Sequence, residues 1–81
     1  MSMSGDSRGR FQNLMATALE MGGGSQAALA MQIGYSQRAV SKALNRGRTS
    51  AEMTSAIHSF TNGAVPKWEL RPDLFDNPNQ A

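Results

Sequence analysis

The stretch from Gln26 to Arg48, QAALAMQIGYSQRAVSKALNRGR, limits the possible folds more than any other part of the chain. Gln26, Ala30 and Gly34 recur every four residues, and Val40, Ala43 and Leu44 follow that glycine at six, nine and ten. Two short helices crossing at a steep angle require such a spacing. Ala30 supplies a small side chain where the second helix crosses the first, and Gly34 can take the positive φ that turns the chain between them. Ser36 follows as a cap whose hydroxyl can accept an unpaired first-turn N–H.

With Val40, Ala43 and Leu44 turned inward, the 3.6-residue repeat leaves Ser36, Gln37, Arg38, Ser41, Lys42 and Asn45 on the outer stripe of the second helix. Each can hydrogen-bond and none is acidic. Gln can pair with adenine N6 and N7, Arg or Lys with guanine O6 and N7, and Ser with base or phosphate. An ordinary solvated helix face uses the same residue types. The agreement of turn geometry with polar stripe is what points to a surface for double-stranded DNA. Gln26, which opens the first helix of the pair, and Arg46 and Arg48, which follow the stripe, complete the expected contact set, the two arginines toward phosphate.

Charge distribution agrees with this placement, although the formal net charge of the chain is only +2. No acidic residue lies between Glu20 and Glu52, a stretch that carries Arg38, Lys42, Arg46 and Arg48. From Glu52 onward the balance is negative, with Glu52, Glu69, Asp73 and Asp76 against Lys67 and Arg71. Positive charge is concentrated at the polar stripe, as phosphate contact requires.

These residues carry a family resemblance. With Gln37, Ala39, Val40, Lys42, Ala43, Leu44, Gly47 and Arg48 at matching or conservatively matching places, the segment resembles the helix-turn-helix of the lambda-type Cro repressors. Thr61 to Phe75, TNGAVPKWELRPDLF, resembles the ending of the YdaS-like, Cro-type regulators encoded by phages and prophages, and its Leu70-Arg71-Pro72-Asp73 is the more specific signal. Arg38 stands where these families usually have a small residue or Pro, and Ala43 where Trp is frequent. The resemblance implies an all-α fold, a compact bundle of four to five helices of the lambda-repressor/Cro-like type, with helix 37–46 docked in the major groove of a near-palindromic operator. It also implies a DNA-contacting role for Arg48. YdaS-like proteins are labelled as toxin–antitoxin components too, which makes an antitoxin or protein-interaction module the alternative.

The remaining elements follow from periodicity. Residues 1–9 offer nothing to bury and are expected to form a disordered N-terminal arm, before a domain over residues 10–75 and a disordered tail over 76–81. Phe11, Leu14, Met15, Ala18 and Leu19 mark the inner face of a first helix that the triple glycine Gly22 to Gly24 stops. Ser25 caps Gln26 to Ile33. Gly47 ends the second helix of the pair, and Thr49-Ser50-Ala51-Glu52 reads as a capping box for a fourth helix with Met53, Ala56, Ile57 and Phe60 inward. Pro66 can open one further turn to Leu70, and an extended segment is expected beyond Arg71.

Val65, Trp68, Leu70, Leu74 and Phe75 are too apolar for a free linker. They either cap the chain's own core or form a homodimer interface, for which Trp68, Leu70, Leu74 and Phe75 are the candidates. A dimer also fits the energetics, because one small module makes few base contacts and two half-sites multiply discrimination.

Other classes find little support. A chain of 81 residues makes one domain, and such chains bury only about 60% of their unfolded surface. There is no cysteine for a disulfide or thiolate site, and the single histidine, His58, falls on the outer side of the fourth helix with no second ligand near it in sequence. No nucleophile and base are paired, so neither catalysis, nor a cofactor, a metal or a small-molecule substrate is expected. No apolar run approaches the roughly 20 residues that cross a bilayer, and the start lacks a signal-peptide core, so a cytoplasmic protein of a bacterial host, on the nucleoid when DNA-bound, is expected. An RNA binder would need exposed aromatic platforms that the chain lacks.

Overall fold

The computed structural model describes residues 6–78, and the described part contains helices and turns only. Helix α1 spans Asp6–Gly22, α2 Gln26–Ile33, α3 Gln37–Arg46, α4 Ala51–Phe60, and α5 is a single turn, Lys67–Leu70. The core joins Phe11, Met15 and Ala18 of α1, Leu29 and Ala30 of α2, Val40 and Ala43 of α3, and Met53 and Ile57 of α4. Val65 and Leu70 close it from the tail side, so the core-capping role holds for these two. Leu70 is therefore withdrawn from the expected dimer surface: its side chain is spent inside its own subunit.

Helix α1 begins at Asp6, earlier than the arm expected over residues 1–9 allowed. Once the turn bearing Phe11 and Met15 is packed, extending a helix backwards adds one hydrogen bond per residue fixed and needs no new nucleus. Residues 1–5 and 79–81, the outer parts of the expected arm and tail, lie outside the described residues. At its other end α1 approaches α2 so closely that a Cβ on Gly22 would lie 2.8 Å from the Leu29 Cα.

The start of α4 differs from the expected capping box. Ser50 is the N-cap and its Oγ accepts from the Met53 N–H at 3.1 Å, while Glu52 is exposed. Thr49 instead turns inward and is fully buried with Thr54. The Thr54 hydroxyl donates to the Ser50 carbonyl at 2.6 Å, so Thr49 must supply the proton of the 2.7 Å contact between the two hydroxyls. Two buried hydroxyls are thereby satisfied without water.

The tail also departs from the extended course expected beyond Arg71. The amides of Leu74 and Phe75 both donate to the Arg71 carbonyl at 3.0 Å, closing a turn over Pro72 and Asp73. Pro72 presets the φ of that turn, and Asp73 returns to accept from the Arg71 guanidinium. His58, expected on the outer side of α4, is half-buried against the tail. Its Nδ1 accepts from the Lys67 N–H at 3.1 Å, a contact for which the Pro66 ring offers no acceptor, and its ring lies 5.4 Å from that of Trp68.

Candidate nucleic-acid interface

Local chemistry sets the α2–α3 pair. The Ser25 Oγ accepts from the Ala28 N–H and caps α2. Gly34 then adopts φ 79°, and the Gly34 and Tyr35 amides both return to the Ala30 carbonyl. This left-handed residue closes α2 and redirects the chain within three positions. Ser36 is extended and its Oγ accepts from the Ala39 N–H at 3.1 Å, opening α3. Val40 and Ala43 anchor α3 in the core, with Ala39 and Leu44 packed at the edge.

Anchoring on that side fixes what faces outward. Ser36, Gln37, Arg38, Lys42, Asn45 and Arg46 are exposed, and Ser41 is half-buried between them. A hollow of about 370 Å³ on the outer surface of α3 brings together Arg38, Ser41, Lys42, Asn45 and Arg46. A second groove of about 380 Å³ runs between α3 and the α3–α4 connection, with Arg38, Lys42, Arg46 and Arg48 on its rim and Ala39, Ala43 and Met53 among its lining. No carboxylate lines either one. Four cations with no acid among them make a surface of one sign, which raises the local concentration of a polyanion.

Gln26, at the start of α2, is half-buried and lines neither groove, so it stands apart from the other candidates. Tyr35, Ser50 and Met53 join the groove although the sequence pointed to none of them as interface residues, Ser50 and Met53 having been read as parts of the cap and inner face of α4. Tyr35 follows the turn glycine directly, and its position there was the available signal. Ser50 was hidden because the cap lies one residue later than the box pattern suggests.

Arg48 is exposed just past the end of α3, and its amide donates to the Ala43 carbonyl at 3.1 Å. It also borders a larger cleft of about 560 Å³, together with Arg10, Trp68, Glu69, Arg71, Asp73 and Phe75 among others. That cleft has mixed charge. Arg10 meets Glu69 at 3.4 Å, and Arg71 grips Asp73 in a bidentate pair at 3.0 and 2.7 Å. The hydrogen bond from Arg71 holds the Asp73 carboxyl below its ordinary range, with smaller contributions that include the charge of Arg48, and the same bond raises Arg71.

Of the apolar tail candidates, Trp68 is half-buried beside His58, and Phe75 is half-buried under the Lys67 ammonium, which lies 5.1 Å from its ring centroid. Leu74 is 49% exposed. Met15 and Met53 fill the core, whereas Met21 and Met31 are exposed. Among the described residues no three His, Cys, Asp or Glu side chains gather as a metal site, and no helix is long and apolar enough to cross a membrane.

A capped helix, a left-handed glycine turn and a second helix with a polar outer face define a helix-turn-helix protein. The chain belongs to the YdaS family, whose model, described as "Bacterial toxin YdaS", matches residues 15–79. That match takes in the whole α2–α3 unit and the Leu70-Arg71-Pro72-Asp73 tail. It supports a small regulatory role, in DNA binding or in a toxin–antitoxin system. The chain matches no curated protein and no solved structure at a significant level.

Proposed function

We propose that the protein is a sequence-specific DNA-binding transcriptional regulator, a Cro-type repressor of a phage or prophage. The observation that carries this reading is the acid-free outer face of α3, where Arg38, Lys42, Arg46 and Arg48 flank Gln37, Ser41 and Asn45. The first turns of such a helix enter the major groove, so Gln37, Arg38, Ser41 and Lys42 address base edges and Arg46 and Arg48 the backbone. Ser36 caps the helix that does this and Gln26 stands at the flank. Two protomers on a near-palindromic site present their reading helices about 34 Å apart. Occupancy of the operator excludes polymerase.

The experiment is a gel shift with the DNA upstream of the protein's own gene against random DNA of equal length. A retarded complex that outlasts excess random DNA supports the reading. Equal loss of both complexes would leave only non-specific charge attraction.

Membership of a family described as a bacterial toxin favours a second reading, a component of a toxin–antitoxin system. On that reading the contact that matters is a protein partner, or growth arrest follows expression. Induced expression of the wild type beside an Arg38→Ala, Lys42→Ala variant separates the two. Toxicity that persists in the variant favours a protein target, and toxicity that disappears ties the effect to DNA.

A further inference from the structure

The Leu70-Arg71-Pro72-Asp73 segment lies outside the α2–α3 unit, yet its arginine reaches back 22 residues to the α3–α4 connection. We propose that Arg71 is a positioning residue for DNA binding, which locks the backbone one residue beyond Arg48 so that Arg48 meets the phosphate backbone in a fixed geometry. The inference rests on the DNA-binding reading above.

Three donors of one guanidinium define the clamp. One terminal nitrogen donates to the Thr49 carbonyl at 2.7 Å, while Nε and the other terminal nitrogen hold the two oxygens of Asp73. The Arg71 side chain is only 13% exposed and its bond to Thr49 is partly buried, whereas the Asp73 carboxylate that orients it stands at the surface, 60% exposed. Thr49 is buried and its hydroxyl is engaged by Thr54. Immediately before it, the Arg48 amide is tied to the end of α3 through the Ala43 carbonyl. The backbone is thus held at the Arg48 amide and again at the Thr49 carbonyl one residue on, while the Arg48 side chain stays exposed between the α3 groove and the tail cleft.

A charge carried on a rigid peptide loses less freedom when it docks than one on a loose loop. Arginine suits this clamp, because its planar guanidinium aims two N–H groups at the carboxylate and a third at the carbonyl in fixed directions, whereas the three donors of lysine rotate about a single atom.

The test compares salt dependence of binding to the operator-containing DNA for the wild type, Arg48→Ala, Arg71→Lys and the double variant. Lysine keeps the charge, so if Arg71 merely touched phosphate, Arg71→Lys would keep the affinity. The clamp instead predicts that Arg71→Lys weakens binding at every salt concentration and that this loss disappears in the Arg48→Ala background, so that the double variant binds no more weakly than Arg48→Ala. Wild-type affinity in Arg71→Lys, or an equal loss in both backgrounds, would overturn the inference.

Far-UV circular dichroism checks that each variant is folded. Should Arg71→Lys be unfolded, Asp73→Asn takes its place, since it frees the guanidinium from the carboxylate that orients it. Removing an acid beside a DNA surface raises affinity by simple electrostatics, whereas loss of the clamp lowers it; raised affinity would overturn the inference. No binding at all by the wild-type chain would overturn the DNA-binding reading itself, and this inference with it.

Discussion

At Gly34 an added Cβ would meet nothing within 4 Å, so only the φ of 79° demands glycine; at Gly22 it would lie 2.8 Å from the Leu29 Cα, so space demands it. The two sites should answer differently to substitution. Gly34→Val should cost about 1–3 kcal/mol through backbone strain, and Gly34→Asn less, because Asn visits the left-handed region. Gly22→Ala should destabilise, although alanine favours a helix by roughly 1 kcal/mol over glycine. Thermal melts decide both; a Gly22→Ala variant that melts above the wild type would contradict the close approach of α1 and α2. Gly34 was legible in sequence because its distances from Ala30 and Val40 are local. Gly22 was read only as a helix stop, since its demand comes from a contact with Leu29 that no local spacing announces. On the outer face of α3, Arg38→Ala should cost about 1–3 kcal/mol on specific DNA and relax preference at one base position. Equal weakening on random DNA would reduce Arg38 to a phosphate contact.

Among the elements, α2 and α3 were legible almost to the residue, because each has a serine cap, a glycine stop and an inward stripe that agree. Helix α4 was legible in Met53, Ile57 and Phe60 of its stripe, but not in Ala56, which stays out of the core while Thr54 is buried, nor in its cap, since either Thr49 or Ser50 can cap and the choice depends on the buried partner Thr54. In the tail, the single turn to Leu70 was legible from Pro66. The rest was not: the turn over Pro72 depends on Arg71 and Asp73 meeting each other, and the contact that caps α5 on His58, which lies nine residues away from Lys67 in sequence. These contacts make the tail acid-sensitive in a defined sense. The Asp73 carboxyl binds its proton less readily in the folded protein than in the unfolded chain, so its contribution is present above the ordinary carboxylate range and is lost as pH falls through the lowered value. Denaturant midpoints of the wild type and Asp73→Asn should therefore differ at neutral pH and converge in acid. Parallel curves would contradict the pairing. His58→Ala should uncap α5 and expose Trp68, read as a red shift of its fluorescence; unchanged emission would show that the His58 contact does not hold the turn.

For the whole molecule, the core of α1 to α4 with Val65 and Leu70 makes a single support on which one polar, acid-free face is presented. The proposed dimer has to use what the fold leaves outward, and of the four tail candidates that is Leu74 with the exposed parts of Trp68 and Phe75. Leu74→Asp should then weaken assembly on a full operator without lowering the melting temperature, as measured by sedimentation with DNA. One protomer on one asymmetric site would rule out the dimer. Assembly stayed illegible in sequence for a physical reason: the same apolar residues serve a core or an interface, and burial alone assigns them.

The central claim, that the α3 face reads a DNA sequence, is tested most directly by the affinity ratio between the chain's own upstream DNA and a scrambled duplex, measured at one salt concentration for the wild type and for Arg38→Ala. Specific sites are typically bound 10³-fold or more tighter than non-specific DNA, on the order of 4 kcal/mol, and the account predicts a ratio of that order for the wild type that falls by about 10-fold or more in the variant. A ratio near one for the wild type, or one that Arg38→Ala leaves unchanged, would contradict it.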